Sequence, residues 1–381
     1  MKKILVVHNK YKLLGGEDIA VDNEIDMLKN FFEVKSLIFE NKKINIFSDI
    51  YSFLFNKNLK SMKMLNNEID SFEPDLVYVH NTWYKASVAI FDILKKRNIK
   101  TFIKLHNFRY DCTRHFSLKG HFENNKICAR CGSIFNNKIL FNKYFEESFF
   151  KSFLILRYGK KYYRILKDYD FHLIVLTKFH KEYLINLNFD PNNIFIIPNA
   201  FESSFTDKDF KSDYLLYAGR ISKEKGVQEL IDSYLKSNVK TFNLKLVGSG
   251  PELKNLKKIY QNEDNVEFLG QLSNVKTKKL IAGSKAVVTS TKLFEGQPTL
   301  LCEASSLFVP SIFPRFGGIH EFFPPDSELS FEQFNYKDLV KKIKLLELGS
   351  FKQEGVNNNK YLTDHFGKNI ILENMKKVFN E

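Results

Sequence analysis

The feature that most constrains this chain is an alternation of short apolar runs with longer amphipathic stretches, broken once by a polar segment and then resumed. The run ILVV at 4–7 leads through a loop at 9–16 into a helix at about 17–31, in which Ile19, Ile25, Met27 and Leu28 are spaced to face a core. Further strand-like runs lie at 75–79, 101–105, 172–176 and 194–197. Strands that alternate with helices build βαβ units and a mainly parallel sheet. After Pro198 and Asn199 comes a stretch at 202–213 rich in Ser and Asp. The pattern then restarts, with strands at 214–218, 244–247, 266–269 and 286–289 and helices near 226–235, 252–260 and 277–281. A chain of 381 residues exceeds what one core usually organises. The expected architecture is α/β, with two Rossmann-like, doubly wound domains at 1–205 and 206–360. Residues 361–381, with Ile370, Ile371, Met375 and Val378 at helical spacing, should form a helix that crosses back to the first domain.

Charge narrows the partners. The 58 Lys and Arg against 44 Asp and Glu leave a formal net charge of +14, which favours encounter with a nucleotide, a nucleic acid or a phospholipid surface. The N-terminus has two lysines before a short apolar run with no small-residue cleavage site, which reads as a first strand and not a signal peptide. No stretch approaches the roughly 20 apolar residues of a membrane span. We therefore expect a cytoplasmic protein, soluble or peripheral on the inner face of the cytoplasmic membrane. Segments 45–65 and 135–167 interleave Phe, Tyr and Leu with lysines, as interfacial amphipathic helices do and as helices packed on a core also do. We read the first as packing and the second as interfacial, because Lys160, Lys161, Arg164 and Lys167 cluster there.

The most specific chemical signal is LFEGQPTLLCEAS at 293–305, where Glu295 and Glu303 stand eight residues apart. Gly296 and Pro298 mark a loop and TLLCEA a helix start, so backbone N–H groups face whatever occupies the loop, which suits an anion. The two carboxylates can share a polyhydroxyl ligand through charge-assisted hydrogen bonds. Context comes from GRISKEKG at 219–226, directly after the first strand of the second domain. Arg220 and Lys225 thereby stand at the carboxyl edge of a parallel sheet, where ligands bind. The guanidinium suits two phosphate oxygens, and the ammonium adds a point charge. In VGSGPE at 247–252, Gly248 and Gly250 permit close backbone approach.

In the first domain, LLGGED puts Gly15 and Gly16 on the loop after the first strand, without the G-x-G-x-x-G spacing of a dehydrogenase. The pair still lets the backbone meet a diphosphate. His80 in VYVHNTW and His106 in IKLHNFR end two strands, where an imidazole can reach a ligand. His8 and His172 read as packing or capping residues, and Asp168-Tyr169-Asp170 as a chance D-x-D. Cys112, Cys128 and Cys131 cluster, with His115 and His121 between them, while Cys302 stands alone. In a reducing compartment such a set either ligates a structural zinc or forms a thiol cluster that stiffens a long loop; both remain open.

Taken in order, GGED, HNTW, LHNFRYDC with its later C-x-x-C, GRISKEKG, VGSGPE, NVEFLG and E-x7-E followed by FGGIHE resemble family 4 of the glycosyltransferases, over nearly the whole chain. The resemblance implies the GT-B fold, two Rossmann-like domains facing a cleft, with the acceptor on the first and a nucleotide sugar on the second. It assigns Arg220 and Lys225 to the donor diphosphate, Glu303 to the ribose hydroxyls, Glu295 to the donor sugar as a catalytic residue, and Gly15 and Gly16 to the diphosphate from the first domain. Gly248, Gly296, Gly317 and Gly318 complete the donor set. His106 sits at the reacting centre, with His80, Asn81, Asn107 and Arg109 on the acceptor side. The implied reaction is a retaining transfer of a hexose or N-acetylhexosamine from a UDP- or GDP-sugar to a growing, lipid-linked surface glycan of lipopolysaccharide, capsule or exopolysaccharide type, with no metal required. The chain departs from the family at VPSIFPRFGGIHE, where Phe313 and Arg315 occupy a segment that is usually a short apolar strand with small residues.

Two other classes stand against this. A catalytically inactive GT-B scaffold or binding subunit is opposed by the retained Glu295, Glu303, Arg220, Lys225 and His106. A nucleic-acid-binding protein is opposed by the lack of a recognised module and by charge spread over both halves.

Overall fold

The computed structural model describes residues 1–10, 16–40, 52, 54–83, 85–108, 110–111, 149–203, 213–349 and 351–380. Two compact units emerge: the described part of 1–200 joined by Asn369–Glu381, and Phe201–Lys368. The boundaries fall at 200/201 and 368/369, where the sequence suggested 205/206 and 360/361. The reason is packing: Phe201 and Leu362 share one core, and the Phe201 N–H donates to the Phe366 carbonyl at 2.8 Å.

In the first unit, strands β1 (Lys3–Lys10), β2 (Glu33–Glu40), β3 (Leu76–Val79), β4 (Lys100–Leu105), β5 (His172–Val175) and β6 (Ile194–Ile196) pair in parallel in the order β2-β1-β3-β4-β5-β6. Between them run α1 (Gly16–Leu28), α2 (Leu59–Phe72), α3 (Ala89–Lys96), α4 (Phe149–Asp168) and α5 (Lys178–Asn186). The central strands are buried on both faces, so they read as continuous apolar runs. Edge strand β2 is half-exposed and mixes Glu33 and Lys35 with Leu37 and Phe39, which hid it from the apolar-run criterion.

Helix α1 buries Asp18, Val21, Glu24, Ile25, Met27 and Leu28, while Ile19 is 37% exposed. The sequence reading put Ile19 in the core; two carboxylates take core-facing positions instead, for reasons the site makes plain. Helix α2 is capped by Asn58, whose side chain accepts from the Ser61 N–H, and buries Leu65. Helix α4 buries Leu154, Tyr158, Tyr162, Ile165 and Leu166, leaving Phe150 and Phe153 exposed. The rest of the 45–65 and 135–167 segments falls in part outside the described residues.

The second unit carries β7 (Tyr214–Ala218), β8 (Asn243–Val247), β9 (Val266–Gly270), β10 (Ala286–Val288), β11 (Ser311–Pro314) and β12 (Ser330–Phe331), parallel in the order β12-β11-β10-β7-β8-β9. Its helices are α6 (Val227–Ser237), α7 (Leu253–Ile259), α8 (Asn274–Ala282), α9 (Thr299–Ser306), α10 (Tyr336–Leu348) and α11 (Lys352–Phe366). Strand residues alternate between two cores, Leu215 and Tyr217 in one and Tyr214 and Leu216 in the other, so both faces are covered. Strand β11 forms despite the departure at Phe313: the ring is buried and stacks on Phe323 at 4.0 Å, while Arg315 lies beyond the strand and donates to the Ser330 hydroxyl.

The last helix, α12 (Lys368–Asn380), buries Ile371, Leu372, Met375 and Phe379. The buried stripe is thus shifted from the spacing read in the sequence, with Ile370 39% exposed and Val378 half-buried. The Phe379 ring packs on Tyr78 and Phe102 of the first sheet at 5.2 and 4.9 Å.

In both sheets the strand order reverses once, between β1 and β3 and between β7 and β10. Loops that leave such a reversal diverge and open a crevice at the carboxyl ends of the strands.

Candidate functional site

At the β7/β10 reversal the two flanking loops are locked together. Buried Tyr217 donates its hydroxyl to the Arg220 carbonyl at 2.8 Å, which fixes the start of the first loop. A 3-10 turn, Lys223–Lys225, ends on Gly226 at φ 68°, and α6 follows. A Cβ at Gly226 would lie 2.2 Å from the Ser290 carbonyl oxygen, and the Ser290 hydroxyl donates to the Gly226 carbonyl at 2.7 Å. Only glycine permits this approach. Gly248 plays the same part after β8, where a Cβ would fall 1.8 Å from the Gly219 carbonyl oxygen.

Across the join, Lys225 Nζ donates to Glu295 Oε1 at 2.5 Å, and the Thr291 hydroxyl donates to the same oxygen at 2.9 Å. The Glu295 carbonyl accepts from the Gly318 N–H at 3.1 Å, next to Gly317 at φ 62°. Lys225, Glu295, Gly317 and Gly318 are thus brought together, with Gly296 buried beside them. Lys225, read in the sequence as a point charge for a phosphate, is paired with Glu295 here. Both partners stay about a quarter exposed, so solvent screens the pair and it can exchange for a ligand anion.

Arg220 is exposed, and its guanidinium has no hydrogen-bond or ion-pair partner among the described residues. Glu303, in α9, has a partly buried carboxyl with no hydrogen-bond partner among the described residues. Burial pushes its pKa up, and the Lys278 charge pulls it partly back. A guanidinium with no ion-pair partner among the described residues, on the loop after β7, and a partly buried carboxyl in α9, after β10, offer fork recognition of a phosphate and acceptance from hydroxyls.

At the β1/β3 reversal, Gly16 opens α1; Gly15 lies outside the described residues. His80 and His106 end β3 and β4, with His80 Nδ1 3.0 Å from His106 Nε2. His80 is 2% exposed, and its Nε2 stands 3.7 Å from Glu24 Oε2 of α1. Glu24 accepts from the Tyr78 hydroxyl at 3.0 Å and from the Lys104 ammonium. His8 belongs here too: its Nε2 meets Asp18 Oδ1 at 2.9 Å, and its ring lies edge-on to His80. Its reading as a packing or capping residue gains a specific buried partner. Burial, chiefly, holds His80 and His106 well below the usual imidazole range, and it lowers Lys104 against the opposing pull of Glu24.

Sequence reasoning missed Asp18, Glu24, Tyr78 and Lys104. The available signal was a lysine inside an otherwise apolar strand and two acids on the core side of a helix. Asn81 is buried and spent on the loop, donating to the Asn9 carbonyl at 2.8 Å and accepting from the Trp83 N–H at 3.0 Å. Asn107 follows His106 at the end of β4. His172 packs between Phe102 and Phe195, and Asp168 closes α4 as β5 approaches. Arg109, Cys112, Cys128 and Cys131 lie outside the described residues, and so does the choice between zinc and thiol cluster. Among the described residues, no group of three metal-binding side chains is assembled, and no helix is long and apolar enough to cross a membrane.

Residues 200–363 match the family described as Glycosyl transferases group 1. The chain is 30% identical over 173 residues to the capsular polysaccharide biosynthesis glycosyltransferase CapM of Staphylococcus aureus, covering 43% of this chain and 45% of that protein. It is 27% identical over 152 residues to the amylovoran biosynthesis glycosyltransferase AmsD of Erwinia amylovora, covering 37% and 42%. The match thus spans less than half the length of either relative. In three dimensions the chain resembles the crystal structure of Anabaena HepE in complex with UDP and glucose, with a TM-score of 0.70 at 15% identity and full coverage of both chains. The α/β fold is the GT-B fold.

Proposed function

From the match of residues 200–363 to the family described as Glycosyl transferases group 1, we propose that this chain transfers a hexose or N-acetylhexosamine from a nucleoside diphosphate sugar to a growing, lipid-linked surface glycan, with retention at the anomeric carbon. The observation that carries the proposal is the β7/β10 reversal, where, among the described residues, the Arg220 guanidinium has no ion-pair partner and the partly buried Glu303 carboxyl has no hydrogen-bond partner. Arg220 takes two diphosphate oxygens, and Glu303 accepts from the ribose hydroxyls. Lys225 exchanges Glu295 for the diphosphate, which frees Glu295 for hydroxyls of the donor sugar. Gly317 and Gly318 line the same loop join.

When the bond from anomeric carbon to diphosphate breaks, the charge that develops on the leaving oxygens meets cations already in place. The acceptor hydroxyl attacks on the face the diphosphate leaves, and its proton passes to the departing phosphate. On this reading Gly15, Gly16 and His106 of the first unit are assigned to the donor and His80, Asn107 and Arg109 to the acceptor side, and Asn81, whose buried amide is spent on the loop, is left out. UDP is the first nucleotide to try, because HepE was solved with it. The surface-glycan acceptor is supported by what CapM and AmsD are named for. Exposed Phe150 and Phe153 on basic helix α4 favour an anionic bilayer as the place of work.

The test is a thermal-shift screen against UDP, GDP, ADP, CMP and their sugar conjugates, since a ligand bound only by the folded state raises the melting temperature. One diphosphate should give a selective shift. Arg220→Ala should weaken its binding about 10- to 100-fold, the worth of a hydrogen bond to a charged group. No shift with any nucleotide, in protein that melts cooperatively, moves the reading to an inactive scaffold. Where transfer is found, the anomeric configuration of the product by NMR decides retention.

A further inference from the structure

The first unit buries charge that the donor site does not use. Lys104 is 1% exposed and Glu24 is 2% exposed, and such a pair loses about as much to desolvation as it regains by attraction. Stability alone is a weak reason for it. Its placement supplies another, because Glu24 also faces the histidine that touches His106.

Resting on the reading that His106 meets the donor sugar, we propose that Glu24 is a positioning residue which, acting through His80, fixes the tautomer of His106 so that its Nδ1 is a bare hydrogen-bond acceptor. A carboxylate offers acceptors only. Two of its neighbours, the Tyr78 hydroxyl and the Lys104 ammonium, donate to it, and the third is His80 Nε2 at 3.7 Å. A lone pair turned toward the carboxylate across this buried contact would set like charge against like, so Nε2 carries the hydrogen. A neutral imidazole has one such hydrogen. His80 Nδ1 is therefore bare and accepts from His106 Nε2 across 3.0 Å. The single hydrogen of His106 is thereby committed.

Neighbouring groups leave this order intact. Lys104 binds Oε1 of Glu24, the oxygen away from the His80 contact. His8 disposes of its own hydrogen elsewhere, since its Nδ1 accepts from the Asn81 N–H and its Nε2 faces Asp18. The consequence is chemical: His106 takes a hydrogen bond from a sugar hydroxyl and does not donate one to a sugar ring oxygen.

The first measurement needs no turnover. Long-range proton–nitrogen correlation on the full chain labelled with 15N-histidine, at pH 7.5, should find His106 protonated at Nε2 and bare at Nδ1, with the resonance assigned from its loss in His106→Gln. A hydrogen on Nδ1, or an even mixture of tautomers, overturns the proposal. Because the readout is independent of sugar transfer, an inactive protein with this tautomer would refute the functional reading and leave the inference standing. The second arm is the double variant Glu24→Gln, Lys104→Met, which removes the carboxylate without stranding a buried ammonium. The His106 tautomers should then mix, with kcat reduced about 10- to 100-fold and nucleotide affinity unchanged, as for loss of an orienting partner behind a site residue. A fall in kcat with the wild-type tautomer retained makes Glu24 merely structural and overturns the proposal.

Discussion

Gly226 shows how much of the β7/β10 loop join rests on a single missing methyl group. It sits at φ 68°, and a Cβ would strike the Ser290 carbonyl, whereas Gly270 sits at φ 71° with nothing within 4 Å of the same position. Alanine at either site incurs the left-handed strain of roughly 1–2 kcal/mol, but only at Gly226 must the two loops also part. Gly226→Ala should lower the melting temperature of the second unit well beyond Gly270→Ala and should lose nucleotide binding, which Gly270→Ala should keep. Equal losses in a paired thermal-shift comparison would sink the idea that the β7 and β10 loops are held by that contact. Residues of this kind are half legible in the sequence. Arg220 and Glu303 are nominated for the proposed site because a strand end and a helix start locate them in the chain. The pairing of Lys225 with Glu295 could not, because nothing in a spacing of seventy residues says that two charges meet. His8 and Glu24 were hidden for the same reason: a buried polar residue reads like an exposed one until its partner is known.

Elements were legible in proportion to how deeply they are buried. Strands β1, β3, β4 and β7 lie inside their sheets and announce themselves as apolar runs, but β2, at an edge, faces solvent along half its length and carries charge. Helix α12 was legible as a helix and misread in phase, because its core stripe is decided by what it meets. It meets a cluster of rings, in which Phe379, fully buried, lies against Phe32, Tyr78 and Phe102. Phe379→Ala should cost about 3–5 kcal/mol, the usual range for emptying a buried aromatic site. In urea, the transition of the first unit should move to lower denaturant while that of the second stays near its wild-type midpoint. A shift of under 1 kcal/mol would mean that α12 is a loose appendage of the first sheet.

At the scale of the whole molecule the two units hold titratable groups of opposite effect. In the first, burial lowers His8 and drives His80 and His106 well below the usual imidazole range, while His180 falls to about 3. Unfolding returns each to a pKa of about 6.5. Below that pH the unfolded chain binds protons that the folded unit refuses, so the histidine contribution is complete above pH 6.5 and is lost as pH falls toward the folded values. Each such proton adds a slope of about 1.4 kcal/mol per pH unit. In the second unit, burial raises the carboxyls of Glu303 and Glu354. Their contribution runs the other way: it is complete below the unfolded pKa and lost as pH rises through the folded one. Mild acid should therefore weaken the first unit and spare the second. The chain carries its own reporter, since its single tryptophan, Trp83, is buried in the first unit against Tyr158 at 4.5 Å. Between pH 6.5 and 5, the urea midpoint read by tryptophan fluorescence should drop, and the midpoint read by far-UV circular dichroism should split into an early and a late step. If both probes keep one common, pH-independent midpoint, the histidines of the first unit are not held neutral by the fold, and the fixed tautomer of His106 loses its physical basis as well.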